Sequence, residues 1–278
     1  MKKILVAIDF SPASGNAYEY AQWLSLDLGA SLSALFVNTA TKAEETVTEK
    51  QRQAMVKREN EEYRERLKSF TMNYPHHDPN ETLIKVAPKG YLVANGRIST
   101  EIANTAQKIG SELIVLGIRS KHLLQEHLFG SVSTHLIGKT PCPLLLIPEA
   151  ANYKPLRHIA LAIDLSLNEA VIPSGLKNLA KALNAKIDPF YVNMLPEDPD
   201  KSKSEQLKSG QTEVTMIREK SVKSGIFYYL KNNPVDLLAL YLPQRAFPDN
   251  LLHGRLARHM AWHSPAPLLL LGERGVDD

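Results

Sequence analysis

The sequence of 278 residues contains one cysteine, Cys142, and no apolar run long enough to cross a membrane. A single thiol excludes an intramolecular disulfide bond and is typical of proteins from the reducing cytoplasm. The apolar residues that follow Met1 and two lysines end at Asp9, so this stretch is too short for the core of a secretory signal peptide. We therefore expect a cytoplasmic protein with no membrane partner.

An excess of one charge is also lacking. The 33 lysines and arginines and the 30 acidic residues leave a formal net charge of +3, which is too small to indicate nucleic-acid binding. Aromatic residues make up 7% of the chain and do not interleave with a basic stripe. The basic residues between Lys50 and Lys68 alternate with glutamates, as on a solvated helix face. No nucleic-acid partner is expected.

Two common catalytic motifs are missing. The sequence has no G-x-S-x-G segment, which would place a serine nucleophile on a strand-to-helix turn. It also lacks the Lys-Ser or Lys-Thr ending of a P-loop. Two histidine pairs, His76 with His77 and His259 with His263, have no third ligand nearby in the sequence, so no metal site is predicted. We assign no catalytic residue.

The clearest functional signal begins at Gly117. This glycine follows the apolar run 113–116, Ser120 stands three positions later, and Gly130 and Ser131 open a helix. The free N–H groups and the dipole of a helix amino terminus attract anions, and glycine lets a ligand approach the backbone. The pattern therefore predicts a site for a nucleotide phosphate. Three basic side chains within the loop agree with it: Arg119, Lys121 and His122.

The chain also contains one pattern twice. A repeat of such long period indicates duplicated domains, because each copy is long enough to bury its own core. We predict a first domain over residues 1–149 and a second over residues 155–278, joined by a linker at residues 148–155. The repeated segments are 3–11 and 158–166, 36–38 and 191–193, and 140–146 and 264–270.

Apolar runs alternate with amphipathic segments in each copy. This alternation predicts a doubly wound α/β fold with parallel sheets, in which ligands collect at the carboxyl ends of the strands. The second copy is expected to lack the long helix of the first and to have a polar, mobile stretch at 196–211 instead. Segments 82–86 and 91–94 are extended, as a hairpin or as one interrupted strand. In the first copy the other predicted strands are 4–8, 32–37, 113–116 and 144–147, and the helices are 12–28, 44–70, 99–109 and 131–139.

These motifs together resemble the universal stress proteins in their tandem two-domain form. The shared features are Ala-Ile-Asp-Phe-Ser at 7–11, Phe-Val-Asn at 36–38, the glycine loop and Pro-Cys-Pro-Leu-Leu-Leu at 141–146. The resemblance implies two doubly wound open α/β sheets of about five mainly parallel strands, Rossmann-like and of the adenine nucleotide alpha hydrolase type. It also implies an ATP site in members that keep the glycine loop, and pairing of domains through their last strands.

Carried over to this sequence, the resemblance implies an ATP site in the first domain, with the Asp9 carboxylate as a hydrogen-bond acceptor. The residues implied to line the adenine and ribose are Ala7, Ile8, Asp9 and Val37. Those implied to surround the ribose and phosphates are Leu116, Gly117, Arg119 and Ser120. Those implied to supply backbone N–H and hydroxyl donors are Gly130, Ser131, Val132 and Ser133. Strand termination by Asp9 and helix capping by the two serines of the last group are the alternative roles.

The sequence departs from the family pattern at two places. Ser120 replaces the second glycine of the loop, which costs about 1 to 2 kcal/mol if that position requires a positive φ. In the second copy the first glycine and the small residue of the loop are gone and the serine is an arginine. The bulky side chains there would fill a loop that needs close approach of the backbone. No nucleotide is therefore expected in the second domain. The corresponding residues of that copy are Tyr241, Gln244, Gly254 and Arg255.

The predicted function is that of an ATP-binding regulator or sensor of the stress response, not of an enzyme. ATP, with or without Mg²⁺, is expected in the first domain. An interaction scaffold without ligand and a slow ATP hydrolase are the alternatives, although hydrolysis needs groups that orient water and Mg²⁺ at the γ-phosphate. Strands 144–147 and 268–271 are expected to pair into an internal pseudo-dimer, which leaves open whether the chain also forms a homodimer.

Overall fold

Strands and helices alternate along both halves of the chain. A computed structural model describes residues 1–39, 48–74, 76–77, 83–84, 87–119, 131–163, 172–194, 204–209, 212–242 and 250–272. We refer to residues 1–148 as the first half, to residues 149–157 as the connecting segment and to residues 158–278 as the second half. Among the described helices, none combines the length and the apolar character that crossing a bilayer requires.

The first half contains seven of the described strands and four of the helices. Its strands are β1 (Lys3–Ala7), β2 (Ser31–Asn38), β3 (His76–His77), β4 (Leu83–Ile84), β5 (Gly90–Asn95), β6 (Leu113–Ile118) and β7 (Leu144–Pro148). Its helices are α1 (Pro12–Asp27), α2 (Glu49–Met72), α3 (Ile98–Ile109) and α4 (Ser131–Leu136).

The second half repeats the alternation with a different middle section. Its strands are β8 (His158–Ile163), β9 (Lys186–Met194), β10 (Ser204–Ser209), β11 (Thr212–Glu219), β12 (Leu237–Leu242) and β13 (Leu268–Gly272). Its helices are α5 (Ser174–Leu183), α6 (Val222–Asn232) and α7 (Asn250–His263).

Eleven strands form one sheet in the order β10-β11-β9-β8-β12-β13-β7-β6-β1-β2-β5. In each half of this eleven-stranded sheet the neighbouring strands are parallel, except that β10 runs antiparallel to β11. The predicted α/β class with mainly parallel sheets is confirmed. The halves meet where β7 and β13 pair antiparallel, with Leu145 opposite Leu269. This pairing confirms the predicted contact of the last strands and joins the two expected sheets into one.

Strand β1 is an example of a strand that is buried on both faces of the sheet. Ile4, Leu5 and Val6 have no exposed surface, as expected for a parallel strand that is covered by helices on both sides. Ile4 and Val6 belong to the core on the α1 side, whereas Leu5 belongs to the core on the α3 and α4 side. The core on the α1 side includes apolar residues of both halves, among them Leu145 and Leu269.

The extended conformation predicted within 82–86 and 91–94 is confirmed where the structure describes these segments, but they form neither a hairpin nor one interrupted strand. Strand β4 pairs antiparallel with β3 in a separate two-stranded sheet. Strand β5 instead lies parallel to β2 at the edge of the main sheet. The parallel position continues the main sheet and lets α2 and α3 cover β5, which a local hairpin would not allow.

The polar stretch predicted at 196–211 contains strand β10. Without β10, strand β11 would be the edge of the sheet. The pairing with β10 gives hydrogen-bond partners to the backbone groups of β11 that face this edge. Cross-strand side chains add to the pairing: Arg218 lies 2.8 Å from Glu205, and Gln206 donates to Thr215 at 2.9 Å. Tertiary pairing therefore overrides the weak strand propensity of this polar sequence.

Helices α2 and α4 differ from the prediction by more than one residue. The described part of the long helix begins at Glu49, because Thr48 and Gln51 form a capping box there; residues 44–47 lie outside the described residues. Helix α4 ends at Leu136 rather than at Lys139. Helix α1 begins at Pro12 with Ser11 as its cap, whose side chain accepts a hydrogen bond from the backbone N–H of Ser14.

Candidate functional site

Asp9 lies just beyond β1, at the carboxyl edge of the sheet, and is tied to the beginning of α1. The backbone N–H of Ser11 donates to Asp9 Oδ1 at 2.9 Å, and the N–H of Asp9 donates to Ser14 Oγ at 3.4 Å. Ser14 N–H in turn donates to Ser11 Oγ at 3.2 Å. The position of this carboxylate therefore depends on the first turn of the helix.

The Asp9 carboxylate is open to solvent on its outer side, where 66% of the side chain is exposed, and Arg119 Nη2 lies 3.8 Å from its Oδ2. Partial burial would raise the pKa of Asp9, but hydrogen bonds from Ser11 and Ser14 and the charge of Arg119 hold this pKa below its ordinary value. The group is consequently an anion at neutral pH. It can accept hydrogen bonds from hydroxyl groups of a ligand.

Phe10, next to Asp9, has a φ of 62°. A bulky residue in this left-handed region is strained, and packing compensates for the strain. The Phe10 ring lies 4.8 Å from the ring of Phe36 and 5.5 Å from that of Phe70, and the Arg66 guanidinium lies 4.1 Å from its centroid. Phe10 belongs to the Ala-Ile-Asp-Phe-Ser motif, but nothing in the sequence pattern indicates its backbone conformation.

The apolar residues predicted to line the ligand separate into two groups. Ala7, Val37 and Leu116 all belong to the core on the α3 and α4 side, and Ala7 is paired in register with Leu116. Ile8 faces the α1 side, where it is 3% exposed in the other core, and its N–H donates to Leu35 O at 2.8 Å. The Ile8 side chain is therefore a packing group.

Gly117, the first glycine of the predicted loop, contacts the first turn of α1. A Cβ atom at this position would lie 2.1 Å from the carbonyl oxygen of Ala13 and 2.8 Å from the backbone nitrogen of Ser14. Real Cβ atoms do not approach backbone atoms so closely. The missing side chain is thus required for α1 to pack on β6, whether or not a ligand is present.

The remaining predicted residues lie in or before α4. Ser133 is 7% exposed, Val132 is half-buried, and Ser131 is the first residue of the helix. Because α4 follows β6 and precedes the parallel strand β7, its amino terminus faces the same sheet edge as Asp9. Ser120 and Gly130 lie outside the described residues.

The corresponding region of the second half is described only in part. Tyr241 is half-buried in β12, and Arg255 is exposed on α7. Gln244 lies outside the described residues, and so does Asp164, the counterpart of Asp9.

A cleft of about 340 Å³, which no pattern in the sequence indicates, lies between α2 and the end of β2. At its base Asn38 is 3% exposed and donates through Nδ2 to Glu59 Oε2 at 3.4 Å. Arg66 lines the cleft and also lies over the ring of Phe10, the residue next to Asp9. Its lining residues are Asn38, Glu59, Glu62, Tyr63 and Arg66.

No metal centre is found in the part of the chain that the structure describes, where no three or more His, Cys, Asp or Glu side chains are arranged to hold an ion. The rings of His259 and His263 stack at 4.1 Å on α7, and His263 Nδ1 lies 2.9 Å from the carbonyl oxygen of His259. This pair therefore has a packing role in the helix.

Cys142 is 6% exposed, and burial raises the pKa of its thiol to about 12, with a smaller contribution from the charge of Glu112. Because the thiolate is the reactive form, we expect a disulfide reagent at pH 8 to modify the folded protein about 100-fold more slowly than the urea-unfolded chain. Absorbance of the released thiol chromophore measures both rates, and the single cysteine makes the signal unambiguous. Similar rates would contradict the inert role of Cys142.

The fold is that of a tandem α/β protein in which Asp9 and Arg119 lie at one sheet edge of the first half. The sequence model of the Universal stress protein family matches residues 1–148. The chain belongs to the universal stress protein family. Universal stress protein YxiE of Bacillus subtilis (strain 168) is 31% identical over 148 residues, which are 52% of this chain and 97% of that protein.

Two solved structures resemble nearly the whole chain. A universal stress protein from Archaeoglobus fulgidus DSM 4304 has a TM-score of 0.66 at 16% identity and covers 98% of both chains. A functionally unknown protein from Pseudomonas aeruginosa PAO1 has a TM-score of 0.58 at 13% identity, over 99% of this chain and 94% of that one. At such identities the likeness concerns the fold, and it shows that the two-half arrangement occurs in both proteins.

Proposed function

We propose that this universal stress protein binds an adenine nucleotide at the carboxyl edge of β1, β2 and β6, and that this nucleotide is ATP. The observation that carries the proposal is the Asp9 carboxylate. It is ionised, exposed on its outer side and held by the start of α1, with Arg119 3.8 Å away. A carboxylate beside a guanidinium suits a ligand with hydroxyl donors at one end and phosphates at the other.

The proposed roles follow the geometry of the edge. Asp9 accepts hydrogen bonds from the ribose, while Ala7, Val37 and Leu116 form an apolar surface for the base. Arg119 neutralises phosphate charge, and the backbone around Gly117 borders the ribose. The residues that complete the proposed site by donating hydrogen bonds to the phosphates are Ser120, Gly130, Ser131, Val132 and Ser133.

We propose that the first half alone binds the nucleotide, because the second half has the larger residues Tyr241 and Arg255 at the positions of Gly117 and Ser131. The protein would then act as a cytoplasmic sensor or regulator of the stress response, in which ATP changes a surface that other molecules contact. A scaffold that binds no nucleotide is the second candidate. Gly117 favours it, because packing against α1 accounts for this glycine without a ligand.

Equilibrium dialysis with labelled ATP tests the proposal. Wild-type protein is expected to retain one ATP per chain, and Gly130→Asp is expected to weaken binding about 100-fold or more, because its carboxylate would face the phosphates. Gly254→Asp, at the equivalent position of the second half, is the matched control and should bind as wild type does.

The alternatives give different results in the same experiment. The scaffold predicts no retained ATP at millimolar concentration, and that result would refute nucleotide binding. Equal loss in the two aspartate variants would place the nucleotide elsewhere. Phosphate release by wild type above the Gly130→Asp blank would instead indicate a slow hydrolase.

A further inference from the structure

One face of α1 holds the connecting segment. Asn16, Tyr20, Trp23 and Asp27 follow one another at intervals of four, three and four residues, so they form a single stripe along the helix. Each of the four contacts residues 148–153. The first half therefore binds the chain that leads to the second half through a helix that begins at the candidate nucleotide site.

The amino-terminal part of the stripe fixes the backbone of the segment. Asn16 Nδ2 donates to the carbonyl oxygen of Pro148 at 3.1 Å and to that of Ala151 at 3.0 Å. One side-chain amide thus satisfies two acceptors at the turn that follows β7. This contact lies four residues from Pro12, the first residue of α1.

Tyr153 provides the second contact. Its ring lies parallel to Trp23 at a centroid distance of 6.0 Å and edge-on to Tyr20 at 4.8 Å, and its hydroxyl donates to the Asp27 carboxylate. Burial, and then the hydrogen bond to Asp27, raise the pKa of Tyr153, so the hydroxyl keeps its proton. Aromatic pairs of this kind add to the free energy of packing.

Asp236, which directly precedes β12, anchors the other end of the segment to the second half. Its Oδ2 accepts from the N–H groups of Arg157 and His158, both at 2.9 Å, and Lys154 Nζ lies 2.8 Å from its Oδ1. Burial alone would raise the pKa of Asp236, but these three donors lower it below its ordinary value. Burial of the Tyr20 ring, and after it the charge of this carboxylate, raise the pKa of Tyr20.

The first turn of α1 is at the same time part of the candidate site. Ser11 holds the Asp9 carboxylate, and Ala13 lies against Gly117. A rigid displacement of α1 would therefore move the Asp9 carboxylate and the stripe together, since both are attached to the same helix.

We propose that α1 couples the nucleotide site to the second half. ATP at Asp9 changes the packing of Tyr153 on Trp23. The contacts of Tyr153 with Tyr20, Trp23 and Asp27, here called the clamp, hold Asp9 in its binding position. This inference rests on the proposed function, whose regulation it specifies. By linkage the effect is reciprocal, so loss of the clamp weakens ATP binding by the factor by which ATP strengthens the clamp.

The experiment measures ATP affinity and clamp packing separately. Tyr153→Ala is expected to raise the Kd for labelled ATP about 5-fold or more, and Tyr153→Phe, which keeps the ring, should raise it less. Asn152→Ala, at the exposed neighbouring residue, is the matched control and should leave Kd unchanged. Thermal unfolding of each variant establishes that the protein is folded at the temperature of the assay.

Trp23 reports on the clamp directly. The chain has two tryptophans, and Trp262 is 37% exposed, so Trp262→Phe leaves Trp23 as the single emitter. ATP is expected to shift its emission, and Asp9→Asn should abolish that shift. A wild-type Kd in Tyr153→Ala together with constant Trp23 emission at saturating ATP overturns the coupling and leaves the proposed function intact. Absence of ATP binding in wild type overturns the proposed function, and the coupling with it.

Discussion

Gly117→Ala is expected to lower the free energy of unfolding by about 3 kcal/mol. The new Cβ would lie 2.1 Å from the Ala13 carbonyl oxygen. That oxygen belongs to the backbone of a helix, so it cannot rotate away as a side chain can. Helix α1 must move from β6, which also disturbs the hydrogen bonds between Ser11 and Asp9. Urea unfolding followed by circular dichroism measures the change.

Gly90→Ala is the matched control for this experiment. Gly90 also lies in a parallel strand of the first half, but a Cβ atom there would have Ser33 Oγ as its nearest neighbour at 3.6 Å, an ordinary contact distance. Its expected effect is within about 0.5 kcal/mol. If Gly117→Ala were as stable as Gly90→Ala, the close packing of α1 on β6 would be incorrect. If the destabilised variant still bound ATP as wild type does, α1 would not position Asp9.

Leu145→Asp is expected to cost about 4 kcal/mol or more and to destabilise both halves together. Leu145 is 2% exposed in β7, between Val115 of β6 and Leu269 of β13. A carboxylate there would be removed from water without a partner. The change also weakens the only described strand pairing between the halves, in a core to which both contribute.

Trp262→Phe and Trp23→Phe, which each leave one tryptophan, separate the responses of the two halves. Trp23 reports on the first half and Trp262 on the second, and in each background the urea midpoint should fall by the same amount. Leu26→Asp, at a residue of α1 that is 41% exposed, is the control and should shift neither midpoint strongly. A second half that keeps its wild-type midpoint in Leu145→Asp would show that the halves are stable independently.

The sequence was most informative where burial alone determines structure. Apolar runs such as residues 4–8 and 144–147 predict buried parallel strands, because such strands need apolar side chains on both faces. Asp9 and the residues around Gly117 are predicted to share one edge, since the carboxyl ends of parallel strands meet there. The structure places Asp9, Gly117 and Arg119 at that edge, while their contact with a nucleotide remains a prediction.

Features that depend on distant partners could not be predicted in this way. Strand β10 is polar and forms because β11 offers it an edge. The positive φ of Phe10 is stabilised by Phe36 and Phe70, which lie far along the chain. The prediction for Gly117 was also incomplete. The sequence shows that a side chain is missing there, but not that the backbone of Ala13 occupies the space.

The antiparallel pairing of β7 with β13 has a consequence for assembly. Two separate molecules that associated through such strands would come apart on dilution, whereas here the partners belong to one polypeptide and their effective concentration is constant. The contact is therefore insensitive to the amount of protein in the cell. Neither strand retains an unpaired edge for another copy, so a dimer of this chain would have to use a different surface.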